Sequence, residues 1–278
     1  MTKLKTTLKK TSEKDVQYVI TVPAIWEDQA KMFMREAAKQ AGIVGSNLMI
    51  ALEPEAASIS CHELRTVREE KNFSATIKTG IKYVVVDLGG GTADITVHES
   101  RGEGMLEEIL PPSGGPWGGT KVDEEYINFL SQLFGQDVMK EFKEDDLEDY
   151  TDLIYGFEVK KRSVTAKQKQ TKGDDSSDKD TVITMPLGLM ETIKAKKGSI
   201  KSAIDNSPYK NSVTVSGQKL YFKPDVFRKL FEPTIELLVS HLDELLKKKE
   251  LSGLNYIVLV GGFSECDLVQ IAIKEKFG

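Results

Sequence analysis

Cysteine, histidine and tryptophan are scarce in this chain of 278 residues, which holds two, three and two of them respectively. Cys61 and Cys266 stand far apart and form no CxxC pair. A disulfide scaffold and a cysteine-rich zinc site are therefore disfavoured, and a reducing compartment fits. His62, His98 and His241 are scattered with no i,i+4 pair, which argues against a histidine metal site. Long apolar runs are missing too. The longest clean one is Tyr256–Val260, far short of a membrane span. The first residues, Met1 to Lys14, are basic and polar without an apolar core. No secretory signal is visible, and a cytoplasmic location is expected. An excess of positive charge is absent as well, since the net charge is −5, which argues against a general nucleic-acid binder. No Ser–His–Asp triad and no glycosidase-like pair of acids is recognisable. What remains is ordinary for a globular protein, with 40% apolar and 29% charged residues. The length suits about two domains at roughly 150 residues each, or one large one.

The order of elements is that of an α/β chain. Tyr18–Val22 is compact and β-branched and is stopped by Pro23, so it reads as a buried strand. Asp28 is placed to cap a helix whose apolar positions are Ala30, Phe33, Ala37, Ala38 and Ala41, with Gly42 set to end it. Met49–Leu52 reads as a second strand, and a helix from Glu55 to Glu70 follows. Tyr83–Asp87 is an apolar strand closed by an acid, and Ile95 and Val97 alternate with Thr96 and His98 in the period of a strand. The glycines of 89–91 therefore join two strands. Met105–Leu110 is a third strand, and Pro111 to Gly119 read as a turn-rich connector. Helices are expected at 123–135 and 147–166, and strands at 182–185 and 212–222. Pro224 opens a helix at the favoured first position, and Pro233 should break it. The helix then runs to Lys249, and strand Tyr256–Val260, Gly261-Gly262 and a last helix complete the chain. Residues 167–180 (KQKQTKGDDSSDKD) form the one low-complexity stretch, expected to be a mobile surface loop.

Glycine clusters mark the candidate site, since ligands of α/β sheets gather where strands end. In Asp87-Leu88-Gly89-Gly90-Gly91-Thr92-Ala93-Asp94, the glycines let backbone N–H groups approach an anion, and Thr92 adds a hydroxyl. Asp87 and Asp94 would repel a phosphate unless a cation lay between them. That suggests Mg²⁺ held largely through water. The segment is neither a Walker A loop, since it lacks the GK[ST] ending, nor a dinucleotide fingerprint. A tight hairpin with two capping acids is the plain alternative. Gly118-Gly119 belong to a second cluster that either closes over a ligand or merely connects. Gly261-Gly262 form a third, between a strand and a helix. Glu158, Lys161, Arg162 and Thr165, at i, i+3, i+4 and i+7, share one helix face that could hydrogen-bond ribose and adenine or simply meet solvent. Glu53, between a strand and Pro54, is either a buried acid near the site or a helix cap.

The colinear set VPAIW (22–26), ALEPEAAS (51–58), DLGGGTAD (87–94), GGPWGGTKVD (114–123), EVKKR (158–162) and LVGGF (259–263) resembles the nucleotide-binding domain of the 70-kDa heat-shock proteins, within the actin/hexokinase/heat-shock ATPase superfamily. MREAA (34–38), LFEPTI (230–235) and LVGGFSE (259–265) resemble the divergent heat shock 70 kDa protein 12 group in particular. The likeness covers residues 16–277. It implies an actin-like ATPase (ribonuclease H-like) fold of two βββαβα lobes around a cleft for Mg-ATP or Mg-ADP. Asp87, Gly89, Gly90, Gly91, Thr92 and Asp94 match the second phosphate motif. Glu53 matches an acid that places the metal's waters, and Gly118 and Gly119 match a glycine pair near the phosphates. Glu158, Lys161, Arg162 and Thr165 match an adenosine-contacting helix, Gly261 and Gly262 the adenosine turn, and Pro23 a proline linked to communication between lobes.

The division implied is a basic leader over 1–15, a partial first lobe over 16–81, and a second lobe over 82–278. The second lobe's inner part takes 82–117 and 225–278, and its outer part takes 118–224. No DLGTT-like first phosphate loop precedes Tyr18, and the lysine that normally follows that loop is missing. A truncated member with impaired hydrolysis is therefore expected. Phe263 and Glu265 stand where typical members have a small residue and an arginine. The expected function is adenine-nucleotide binding in a chaperone-related interaction module with a protein partner of unknown identity. The alternatives are a non-binding interaction scaffold and a small-molecule kinase of the same superfamily.

Overall fold

The computed structural model describes residues 16–43, 45–63, 78–102, 105–165 and 179–278. The leader, the part of the expected Glu55–Glu70 helix after Glu63, and almost all of the 167–180 loop lie outside them. The chain runs β1 (Tyr18–Val22), α1 (Asp28–Gln40), β2 (Leu48–Leu52), α2 (Glu53–Glu63), β3 (Lys82–Leu88), β4 (Ala93–Gly102) and β5 (Met105–Gly115). It continues with α3 (Gly119–Phe134), α4 (Gln136–Asp145), α5 (Leu147–Lys161), β6 (Thr181–Thr184), α6 (Leu187–Lys197) and α7 (Ile200–Asp205). The last elements are β7 (Val213–Ser216), β8 (Lys219–Phe222), α8 (Pro224–Lys229), α9 (Glu232–Leu246), β9 (Tyr256–Val260) and α10 (Asp267–Phe277). No described helix is long and apolar enough to cross a membrane. Two compact units result. One takes the described residues up to Leu88, Thr92–Gly115 and Lys247–Val260. The other takes Gly89–Gly91, Pro116–Leu246 and Gly261–Gly278.

The first unit is built on a sheet of order β5-β4-β3-β9 and a parallel pair, β1-β2. β3 is central, antiparallel to β4 and parallel to β9, and Tyr83, Val84, Val85 and Val86 are wholly buried in it. A central strand covered on both faces reads as a continuous apolar run, which is why VVV needs no alternation. Tyr83, Val85 and Asp87 share one face by the two-residue period. Ser58 of α2 bonds the Tyr83 hydroxyl at 2.9 Å, so α2 lies over that face and its first residue, Glu53, approaches Asp87.

The same face carries His98, opposite Tyr83 on β4, 3% exposed, with its Nε2 2.8 Å from Thr96 Oγ1. Burial drives its pKa from the ordinary 6.5 down to about 4. The native state thus holds this ring neutral where the unfolded chain binds a proton. Its contribution to stability is complete above pH 6.5 and is lost progressively as pH falls from 6.5 to about 4. The drop should amount to about 3 kcal/mol at most. Urea unfolding at pH 7.5 and at pH 5 should show it for the native chain, and much less of it for His98→Gln. Equal slopes for the two proteins would remove His98 as the cause.

Several expectations are corrected here. Asp28 does not cap α1. Glu27 holds the cap position without a side-chain bond, and Asp28 is the first helical residue, where its charge meets the positive end of the helix. Phe33 is 73% exposed. The row turned inward is 30, 34 and 38, where alanines at both ends let α1 approach β2 closely. Pro111 to Gly115 are not a connector but the end of β5, an edge strand that tolerates proline. Gly114 fits there because an added Cβ would sit 1.9 Å from the carbonyl oxygen of Ala93 on β4.

The second unit packs helices around a row of aromatic rings. Val122, Tyr126, Phe129, Leu130 and Leu133 form the buried stripe of α3. Tyr126 stacks on Phe157 of α5 with ring centres 4.1 Å apart, and Phe222 and Phe227 continue the row. The stack fixes α3 against α5, so that the start of α3 meets the end of α5. A three-stranded antiparallel sheet of order β6-β8-β7 completes the unit. α3 starts four residues earlier than expected, α4, α6 and α7 form in stretches where no element is expected, and α5 stops at Lys161 rather than 166. The expected break at Pro233 is present, since α8 ends at Lys229 and a separate helix, α9, starts at Glu232. Pro233 sits in the first turn of α9, where its missing N–H costs nothing.

Candidate functional site

In the second unit, the loop Gly89–Gly91 lies against the start of α3. The amides of Gly118, Gly119 and Thr120 donate to the carbonyls of Gly91, Gly89 and Gly90 at 3.3, 3.1 and 2.7 Å. Three donors that a helix start leaves orphaned are thereby satisfied by the loop itself. The packing is backbone on backbone. A Cβ on Gly118 would lie 2.5 Å from the oxygen of Gly90 and 2.6 Å from the carbonyl carbon of Gly91. Gly118 is thus a glycine of close approach.

Beside this loop opens a pocket of about 490 Å³. Of the residues singled out in the sequence, Gly89, Gly90, Gly119, Glu158, Lys161, Arg162 and Gly262 line it. Gly91 and Gly118 are not among its lining residues. Gly261, with φ +84°, sets the turn after β9 and is bonded by Ser264 through its hydroxyl at 2.7 Å. Thr165 is not brought in. The helix ends four residues before it, so the expected i+7 face does not exist, and its carbonyl instead accepts from Arg228 Nε at 3.0 Å. The sequence reading missed Thr120, Asp123 and Cys266 as lining residues, and noted Phe263 and Glu265 only as departures. Thr120 and Asp123 were within reach, since both lie in the GGPWGGTKVD segment.

Lys161 is the electrostatic centre of this wall. Its side chain is 8% exposed. Nζ donates to Gly119 O at 2.9 Å and Asp123 Oδ1 at 2.7 Å, and pairs with Glu158 Oε2 at 2.5 Å. Three acceptors use all three ammonium protons. Lys161 therefore holds the start of α3 while also lining the pocket. Glu158 also pairs with Arg162 Nε at 2.7 Å. Burial works to raise the Glu158 pKa, but the hydrogen bonds from Lys161 and Arg162 win and hold it below the usual value. For Asp123 the balance is reversed, and burial outweighs the Lys161 bond and raises its pKa. Phe263 packs its ring against Gly119 at the other side, and burial raises the Cys266 thiol.

Asp87 and Asp94, the acids that flank the glycine loop in sequence, belong to the first unit. Asp87 and Asp94 are directly opposed across β3 and β4. Asp94 is buried, and its Oδ1 accepts from the amide of Ile25 at 3.0 Å, tying the VPAIW turn to the hairpin. Burial, then the charge of Asp94, raises the pKa of Asp87. Burial and the charges of Asp87 and Asp94 raise that of Glu53. No group of three or more acids, histidines or cysteines among the described residues is arranged to hold a metal ion directly.

A family model described as Hsp70 protein matches residues 1–174, more than half of the chain. The chain belongs to the Hsp70 family. The fold of this Hsp70-family chain is accordingly that of the family's nucleotide-binding domain, an actin-like ATPase fold. It is 36% identical to heat shock 70 kDa protein 12A of Mus musculus over 95% of its length, and 32% identical to heat shock 70 kDa protein 12B of Homo sapiens over 96%. In each case the match spans 45% of the relative. Chaperone protein DnaK of Thermotoga petrophila is 28% identical over 94% of the chain and 36% of the relative. The Hsp70-family chain thus spans less than half the length of these curated relatives.

Proposed function

We propose that the pocket of the second unit takes the adenosine end of ADP or ATP, and, as a separate reading, that Glu53, Asp87 and Asp94 of the first unit suit Mg²⁺ held through water. The observation that carries the reading is bare backbone in the pocket. Gly90 and Gly262 both line it, neither lies at positive φ, and a Cβ on either would meet nothing within 4 Å. Neither backbone conformation nor packing among the described residues asks for glycine there, whereas close approach of a ligand does. The volume fits a small-ligand site, which typically takes roughly 300–1,000 Å³. Glu158 and Arg162 supply polar groups suited to ribose and base, and Phe263 an apolar wall. Since the amides of 118–120 are engaged with the loop, the phosphates are left to the amides of the glycine loop. For the metal, mutual repulsion among Glu53, Asp87 and Asp94 suits a divalent cation, and the lack of a direct ligand cluster suits one held through water. The ion's contribution is to neutralise negative charge.

Trp117 immediately precedes the glycine pair and lies 5.1 Å from the His241 ring. In a Trp26→Phe background its fluorescence should change saturably with ADP, more steeply with Mg²⁺ present. Gly262→Ala should weaken the response while leaving Tm unchanged, because the added methyl group meets nothing within 4 Å. Asp94→Asn should weaken Mg-ADP more than metal-free ADP. No calorimetric binding of Mg-ADP would overturn the reading in favour of an interaction scaffold.

A further inference from the structure

β6 is an edge strand whose outer side is unpaired among the described residues. It pairs with β8 from Thr181↔Phe222 to Thr184↔Lys219, and the Met185 amide extends the ladder by donating to Gln218 O at 2.7 Å. Along a strand, alternate residues turn both backbone groups to the same side. Thr181, Ile183 and Met185 therefore face β8, and Val182 and Thr184 turn their N–H and C=O groups outward.

A groove of about 790 Å³ runs along that edge, between β6 and α5. Its walls carry apolar side chains in the open, with Tyr155 70%, Val159 50% and Leu187 57% exposed. Its floor includes Gly156, in the interior of α5. Gly156 is not at positive φ, and a Cβ there would meet nothing within 4 Å. Glycine weakens a helix interior relative to alanine, and nothing among the described residues offsets that. A missing side chain does keep the floor clear. The groove is also polar along its length. The Gly188 amide donates to Asp149 Oδ2 at 2.8 Å, so β6 runs antiparallel to α5. Asp149 and Asp152 then lie at the downstream end of β6, and Lys160 at its upstream end. Lys219, on β8, is one strand farther away.

We propose that this groove binds an extended peptide segment of another protein, which adds to β6 as an antiparallel strand. Backbone groups of Val182 and Thr184 supply the ladder, and Tyr155, Val159 and Leu187 receive alternate apolar side chains. The charge order asks for a basic residue near the segment's N-terminus, against Asp149 and Asp152, and an acidic one near its C-terminus, against Lys160. A second copy of the chain fits poorly, because it brings its own α5 alongside its β6, whereas the groove has room for a strand without a flanking helix.

The test is fluorescence anisotropy of the whole chain with a fluorescein-labelled peptide of alternating valine and threonine, lysine at its N-terminus and glutamate at its C-terminus. Saturable binding is expected. The same peptide N-methylated at alternate residues should not bind, and exchanging its end charges should weaken it. Gly156→Trp should lower affinity at least about tenfold, and Gly156→Ala should retain binding with a small rise in Tm. Val182→Pro removes an outward N–H without touching the β8 ladder, and it should abolish binding even if the tryptophan variant misfolds. Absence of saturable binding, or equal binding of the N-methylated peptide, would overturn the proposal. So would sedimentation showing a dimer that Gly156→Trp dissolves.

Discussion

Gly118→Ala should cripple the site, while Gly119→Ala, one residue on, should be tolerated. At Gly118 the new methyl group would stand 2.5 Å from Gly90 O and 2.6 Å from the Gly91 carbonyl carbon. Those are backbone atoms that cannot rotate away, so either the glycine loop or the start of α3 must move. Movement also stretches the bonds from the amides of Gly118, Gly119 and Thr120. Overpacking of this kind costs about 1–3 kcal/mol, and the loss of aligned backbone bonds adds to it. Mg-ADP affinity should fall at least about tenfold, on the proposed reading of the pocket. At Gly119 the nearest atoms are Lys161 Nζ and the Phe263 ring at 3.6 Å, an ordinary contact. Urea midpoints and ADP titrations of the two variants side by side decide the matter. Equal behaviour would mean that the loop is not held by close approach.

Lys161→Met should be the most destabilising single change in the second unit. It removes one cation from between two carboxylates, Asp123 at 2.7 Å and Glu158 at 2.5 Å, and frees the Gly119 carbonyl. Leaving the partners of a fully buried pair uncompensated costs about 3–5 kcal/mol, and here, with the two carboxylates 20% and 29% exposed, the loss should be smaller. The loss should shrink as pH falls into the carboxylate range, because burial already raises the Asp123 pKa and a protonated Asp123 needs no cation. Glu158 keeps Arg162 and depends less on Lys161. Adding Asp123→Asn to Lys161→Met should therefore recover part of the stability at neutral pH, a coupling that a double-mutant cycle measures. A cost below about 1 kcal/mol would place Lys161 among exposed ion pairs of little worth.

Much of this arrangement was legible in the residues, and the failures have physical causes. The β3–β4 hairpin was readable because three glycines stand between an apolar run and an alternating one. The end of β5 was not, since Pro111, Pro112 and Gly114 signal a turn unless the strand is known to lie at an edge and to press on Ala93. α4 was passed over because its apolar positions, Val138, Met139 and Phe142, are few among charges. Spacing named Glu158, Lys161 and Arg162 together, but it could not show that the helix ends at Lys161 and leaves Thr165 outside. Nor could it show that the lysine's protons were spent inside the protein. Asp123, which spends one of them, is 38 residues away in the chain.

The sheet of the first unit has a consequence for how the chain acquires its structure. β3 waits for β9, and the Lys82 amide bonds the Asn255 side chain across a separation of 173 residues. Every residue from Pro116 to Leu246 is made between β5 and β9 and belongs to the other unit. At roughly 5–20 residues per second, synthesis leaves one edge of β3 open for on the order of ten seconds. That edge belongs to an uninterrupted Val84-Val85-Val86, the sort of strand that recruits unwanted neighbours. Closing so long a loop is also slow compared with forming the helices inserted before it. The inserted unit should therefore gain protection from hydrogen exchange first, with β3 and β9 closing together as the last and rate-limiting event.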